Sequence, residues 1–405
     1  MGNTKRNEWL LIIGRWTSKV GDIVFDYVNS ILIVSAFTSS SWILSIYQSS
    51  QTIISILFNL IGGVIADNAK RKKILVITDI LSACICFIAS FFVDSIYLAE
   101  ALIIANMLLA IIFSFSSPAF KAVVREMVDK NRIISYNSIS NMGVEVLSMV
   151  GPVIGLVLMS HIGGRRALVI NALTFFISAV LEMFLVPVYV EKASNVQSRK
   201  NNVIKGIIEG FKYLYSDKKI LCLIILSAMV NFFLAGYNLI IPYTDVILSD
   251  TFQNFYSKAL VFQAAGGVLG SFLNSRIPNE IMNKGESLIV CLGFVGIPII
   301  FIPSLISMQN IIVCLVPFAI FGAFLTIFNI NFMSYIQAHV NQEYLGRIFS
   351  IIFTVAVLFM PVGSIVFSAI GLVNNQYGFS IVGTGIVCLA ACSFTFESLY
   401  KRGRK

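Results

Sequence analysis

Four ionisable side chains, Arg15, Lys19, Asp22 and Asp26, interrupt an otherwise apolar stretch near the start of the chain. On a helix turning about 100° per residue they fall within an arc of roughly 60°. A charge at the centre of a bilayer costs about 2.5–3.5 kcal/mol on an insertion scale, so a face bearing four of them must look at protein or water. Two chemistries suit such a face. Lys19 could pair with Asp22, and Arg15 with charges at the nearer membrane boundary, fixing how the helix packs. Alternatively, Asp22 or Asp26 takes up and releases a proton or cation beside a substrate path, with Arg15 and Lys19 tuning the affinity. Glu145 is a third candidate carboxylate, because it lies in a stretch where Asn137, Asn141 and Ser148 recur at helical spacing.

The surrounding sequence must place these groups in a membrane. Hydrophobic residues make up 57% of the 405 and charged residues 12%, against roughly 25% charged in soluble proteins. Twelve apolar stretches are long enough for the roughly 20-residue helix that a bilayer needs. The fold expected is an all-α polytopic membrane protein of twelve transmembrane helices in two six-helix bundles. Residues 1–190 form the first bundle, 191–219 a linker with an amphipathic helix from Val203 to Tyr215, and 220–405 the second bundle with a basic tail.

The net charge of +9 would suggest nucleic acid in a soluble protein, but here it follows topology. With the N-terminus inside, every Lys and Arg except Arg15, Lys19, Arg165, Arg166 and Lys258 falls in a tail or loop on the inner side. This is the positive-inside asymmetry, and it puts both termini in the cytoplasm of a multi-pass plasma-membrane protein. No cleavable signal is expected, because the apolar segment that follows the N-terminus is long, polar-interrupted and lacks a small-residue cleavage site, and no N-myristoylation, since position 6 is Arg. All seven cysteines fall inside spans, without metal-ligand spacing to His161 or His339. No metal, cofactor or nucleic acid is expected, and no His, Cys or Ser constellation suggests an enzyme.

The second span ends in GGVIADNAKRKK, passing from lipid-compatible sequence to one acid and a run of cations. The spacing of Gly63, Ala66, Asp67, Arg71 and Lys72 resembles the loop between helices 2 and 3 of the major facilitator superfamily, with Asn68 and Lys70 in place of the usual Arg and Gly. The resemblance implies a cytoplasmic gate at Gly63, Asp67, Arg71 and Lys72, with Asp67 meeting Arg71. Asp79 lies one turn inside the third span, where it could pair with the preceding cations. The fourth span should end at Pro118, before an amphipathic surface helix over residues 119–135. In the fifth span, Gly143 and the GPVIG run of Gly151, Pro152 and Gly155 resemble the fifth-helix motif of drug/proton antiporters of that superfamily. Glycine and proline are also common in membrane helices, where they mark packing kinks.

The second half carries mainly amides, and Asn231, Asn238, Gln263, Asn329 and Asn331, with Asn141 of the first half, could line a cavity for a large, partly apolar ligand. Amides satisfied between helices are the competing reading. Short echoes link the halves roughly 200 residues apart: GGVIA with GGVLG at Gly266, MVDKNRI with HVNQEYL, and Pro152 with Pro361 and Gly363. Across nearly the whole chain the pattern is similar to the macrolide-efflux-type branch of the superfamily, on RWTSKVGDIVFD, SSPAFKAVVREMV and EYLGRIFSI.

That resemblance implies export of an amphipathic small molecule, such as a macrolide, in exchange for protons or sodium by a monomer in the bilayer. Export of an endogenous peptide, siderophore or antibiotic, movement of a lysolipid between leaflets, and a non-transporting sensor or assembly factor are the alternatives.

Overall fold

A computed structural model of the chain describes residues 2–38, 40–68, 71–129, 132–186, 212–215, 217–248, 251–274, 276–277, 285–340, 342–374 and 376–402. Side chains are not described at several further positions inside these helices, Gly63, Asp67, Asn141 and Glu145 among them. The described secondary structure is helical throughout, as a bilayer requires of a chain that must satisfy its own backbone hydrogen bonds. The chain divides into two compact units, Met1–Val196 and Gln197–Lys405.

The first unit contains α1 (Gly2–Ala36), α2 (Ser41–Asn68), α3 (Arg71–Ser90), α4 (Leu98–Met127) and α5 (Ile133–Met183). α5 is two spans in succession, because the backbone turns at Gly163, whose φ of 78° lies in the left-handed region that suits glycine. The second unit contains α6 (Lys218–Ile240), α7 (Phe255–Asn274), α8 (Gly285–Ile306), α9 (Ile311–His339), α10 (Gln342–Ala369) and α11 (Gly378–Arg402). With the two arms of α5, this makes twelve helical spans among the described residues. Among the described residues, seven helices are long and apolar enough to cross a membrane by length and composition alone.

The two units repeat one packing scheme. In the first, α1 packs on both arms of α5, α3 on the second arm, and α2 and α3 on α4. In the second, α6 packs on α10 and α11, α8 on α11, and α7 and α8 on α9. Position by position the partners correspond. The Pro152 and Pro361 echo falls on equivalent contacts: Gly155 abuts Tyr27 of α1, and Gly363 abuts the Phe232 backbone of α6.

Two boundaries differ from the sequence expectation. α4 does not stop at Pro118 but runs unbroken to Met127, the freed backbone group being tolerated as prolines often are in membrane helices. The sixth span ends at Met183 and Phe184, short of the expected Val190. Of the amphipathic helix expected over Val203 to Tyr215, only residues 212–215 are described, and they are helical.

Side-chain caps set several starts. Asp217 accepts from the backbone N–H groups of Lys219 and Ile220 at 3.1 and 3.2 Å, and Asn310 does the same for Ile312 and Val313, each satisfying donors that a helix N-terminus leaves open.

Candidate functional site

A cavity of about 670 Å³ opens inside the first unit among α1, α3, α4 and both arms of α5. α1 supplies Arg15, Ser18, Lys19 and Asp22, and α3 supplies Asp79 and Ser82. Phe113 and Phe120 come from α4, and Phe175, Ser178 and Glu182 from α5. The three α1 charges share the wall because residues 15, 19 and 22 recur at one helical face. Asp26, a turn further on, is exposed and is not part of this wall. Gly21 makes the assembly possible on its inner side, since a Cβ there would collide with the side chains of Asn171 and Thr174.

The internal pairing considered for α1 does not form. Among the described residues the ion pairs are Arg71–Glu126, Arg132–Glu8 and Arg165–Asp94, and none uses Lys19 or Asp22. Arg15 instead donates to Ser140 Oγ at 3.0 Å and stacks 5.5 Å from the Phe120 ring centroid, a cation–π arrangement. Among the described residues, Asp79 pairs with none of the cations that precede it. Its Oδ2 accepts from Ser18 Oγ at 3.3 Å, and Ser178 lies on the same cavity wall. Asp79 also lies within electrostatic reach of Asp22 and of Glu182.

Glu182 was passed over as a site residue in the sequence, where it is one acid in an apolar run. It is 5% exposed, and its Oε2 has no hydrogen-bond partner among the described residues. The available signal was the general one that an ionisable residue within a span is costly unless it has a task. Glu145 and Asn141 lie outside the described side chains.

At the end of the first unit that holds the N-terminus, side chains knit the helix ends together. Glu8 receives Arg132 in a fork, Nε to Oε1 at 2.7 Å and Nη2 to Oε2 at 2.8 Å. Those bonds, with the charge of Glu8, raise the guanidinium pKa above its ordinary value. Asn7 donates to the Val186 carbonyl at 2.7 Å and accepts from its N–H. Of the four gate residues, Gly63 and Asp67 have side chains outside the description. Arg71 bonds Glu126 at 2.7 Å. Lys72 donates to the carbonyls of Met183 and Leu185, both at 2.7 Å, filling the orphan acceptors at the C-terminus of the span that carries Glu182.

The glycine motif of α5 is a groove for α1. Cβ atoms at Gly143, Gly151 and Gly155 would collide with Trp16, Ile23 and Tyr27 respectively, with Pro152 inside the helix beside them. Trp16 also donates to the Ser140 carbonyl at 3.0 Å. Small residues here let two backbones approach, as between helices in lipid.

In the second unit the amides are mostly engaged. Tyr237 donates to Gln263 at 2.7 Å, Asn331 donates to Asn274 and to the Ile327 carbonyl, and Asn231 donates back to Ser227. Asn238 and Asn329 are exposed.

Residues 20–364 match the family model described as Major Facilitator Superfamily. The chain is 23% identical to macrolide efflux protein A of Streptococcus pyogenes over 408 aligned residues, covering 95% of this chain and 96% of that protein. It is 24% identical to macrolide efflux protein A of Enterococcus faecalis over 318 residues, 74% and 92% of the two chains. Its fold superposes on a point mutant of the nucleoside transporter NupG with a TM-score of 0.75 at 14% identity, covering 96% of this chain and 99% of the other.

Proposed function

The chain belongs to the major facilitator superfamily and is a multi-pass membrane transporter, and on that premise we propose that it exports an amphipathic small molecule of the macrolide kind in exchange for protons. The observation that carries this reading is the cavity of the first unit, which gathers Lys19, Asp22 and Asp79 beside Phe113, Phe120 and Phe175. Aromatic walls suit a large, partly apolar cargo, and an acid held in an apolar enclosure suits a coupling ion. The names of the two efflux relatives support the cargo class.

Asp22 is the coupling carboxylate, taking a proton from outside and releasing it inside, with Asp26 and Glu145 as secondary sites and Arg15 and Lys19 setting the local charge. Gly63, Asp67, Arg71 and Lys72 gate the inner side, and alternating access of bundles 1–190 and 220–405, joined by the linker, moves the cargo. The protein acts as a monomer in the plasma membrane with both termini in the cytoplasm.

A susceptibility and uptake panel tests the cargo, comparing cells with and without the protein across drug classes. Lower macrolide accumulation in the expressing cells is the expected result. Equal accumulation of every compound in both would overturn it.

A further inference from the structure

A second cavity, of about 490 Å³, opens in the second unit where the first turns of α6, the start of α8 and the end of α9 meet. Its lining is sorted along α6. Lys218 and Lys219 come first, at the end of the span, and Leu221, Cys222 and Ile225 follow, with Ile289 of α8 across from them. At 1.5 Å per residue the wall from Lys219 to Ile225 runs about 9 Å into the span. Cations therefore stand at the polar boundary, and an apolar track leads inward from them. Tyr215, which is exposed, and Tyr335 add two rings of the kind that sit at headgroup level.

Both lysines are exposed, and among the described residues neither joins an ion pair. The acids nearest the lining in sequence are not part of it. Asp217 caps α6, accepting from the N–H groups of Lys219 and Ile220, and Glu286 follows Gly285 in the first turn of α8. A free inorganic anion would use the two ammonium groups and none of the apolar track. A neutral amphiphile would fill the track and leave both charges uncompensated. An anionic phospholipid uses both, since basic pockets between membrane helices hold such headgroups, and the volume lies within the range of small-molecule sites.

We propose that this cavity seats one anionic phospholipid, its phosphate held by Lys218 and Lys219 and an acyl chain laid along Leu221, Cys222, Ile225 and Ile289. The site lies in the other unit from the cavity assigned to cargo, and its occupancy is an equilibrium property. It is measured without a gradient or transport, so it stands or falls apart from the export activity.

The purified full chain is titrated with phosphatidylglycerol and, separately, phosphatidylcholine, and bound lipid is counted by native mass spectrometry. A saturable phosphatidylglycerol complex is expected, with phosphatidylcholine bound more weakly and inorganic phosphate unable to displace the lipid. The double variant Lys218→Gln/Lys219→Gln should weaken phosphatidylglycerol binding about tenfold or more, whereas Lys212→Gln/Arg276→Gln, with the same loss of charge off the lining, stays within about twofold. Equal affinity for the two lipids, wild-type affinity in Lys218→Gln/Lys219→Gln, or displacement by inorganic phosphate would each overturn the proposal. The acyl track is checked in the wild type with phosphatidylglycerol carrying a diazirine on one chain. Labelling of peptides containing residues 221–225 or 289 is expected, suppressed by unlabelled phosphatidylglycerol and not by phosphatidylcholine. Labelling suppressed equally by both lipids contradicts it.

Discussion

Asp22 and Asp26 are one turn apart on α1, yet only Asp22 belongs to the cavity wall. The two should therefore respond differently to neutralisation. Asp26→Asn is expected to keep export within about threefold of the wild type, a small change in transition-state terms, measured as initial rates in whole cells. A loss in Asp26→Asn as deep as that in Asp22→Asn would move the coupling site along the helix. The acids of α1 were legible in the sequence because their shared face follows from helical period alone. The company they keep was not. Asp79 and Glu182 come from α3 and the second arm of α5, and only tertiary packing brings residues 22, 79 and 182 to one wall. Lys72 makes the same point: its sequence neighbours suggested a gate but did not name the sixth span, whose end its ammonium caps. Lys72→Met is expected to speed amide hydrogen exchange in the peptide covering residues 181–186, with little change in α2, because those carbonyls lose their donor.

Helix contacts in lipid depend on small residues, and the glycines of the two units differ in what they face. At Gly266 an added Cβ would run into the Ala319 backbone of α9, which cannot rotate away. At Gly293 the nearest atom is the Ala390 Cβ at 3.8 Å, an ordinary contact. Gly266→Ala should therefore lower the melting temperature in detergent, with an overpacking cost of about 1–3 kcal/mol, while Gly293→Ala leaves it unchanged. Equal behaviour of the two variants would contradict the α7–α9 contact. The GGVLG echo at Gly266 was readable as a degenerate repeat, but its packing role against α9 was not, because periodicity names a face without naming the neighbour. The end of the sixth span was set too late, at Val190, because the apolar run continues past the helix that stops at Met183. The fourth span was ended too early, at Pro118, where a proline signal that ends helices in water is overridden inside a membrane bundle.

Two units with one packing scheme, α1 on the arms of α5 and α6 on α10 and α11, make the molecule a duplicated six-helix design, and the superfamily assignment agrees with it. The duplication was faintly visible in short echoes, since packing is set by small residues at a few positions rather than by long identities. The orientation proposed from the cation distribution has its own check. Green fluorescent protein fused after residue 405 should fluoresce, and alkaline phosphatase inserted after Ser40 should be active, because the first reporter folds inside the cell and the second outside. A fluorescent reporter at Ser40 and an active phosphatase at the C-terminus would invert the topology.

The central claim is that cargo export is driven through Asp22 by protons, and inverted membrane vesicles measure it directly. Vesicles energised to an acidic interior should accumulate a radiolabelled macrolide, lose that accumulation when a protonophore collapses the gradient, and show only background uptake with Asp22→Asn. Accumulation that persists after the gradient is collapsed, or that is undiminished in Asp22→Asn, would contradict the account.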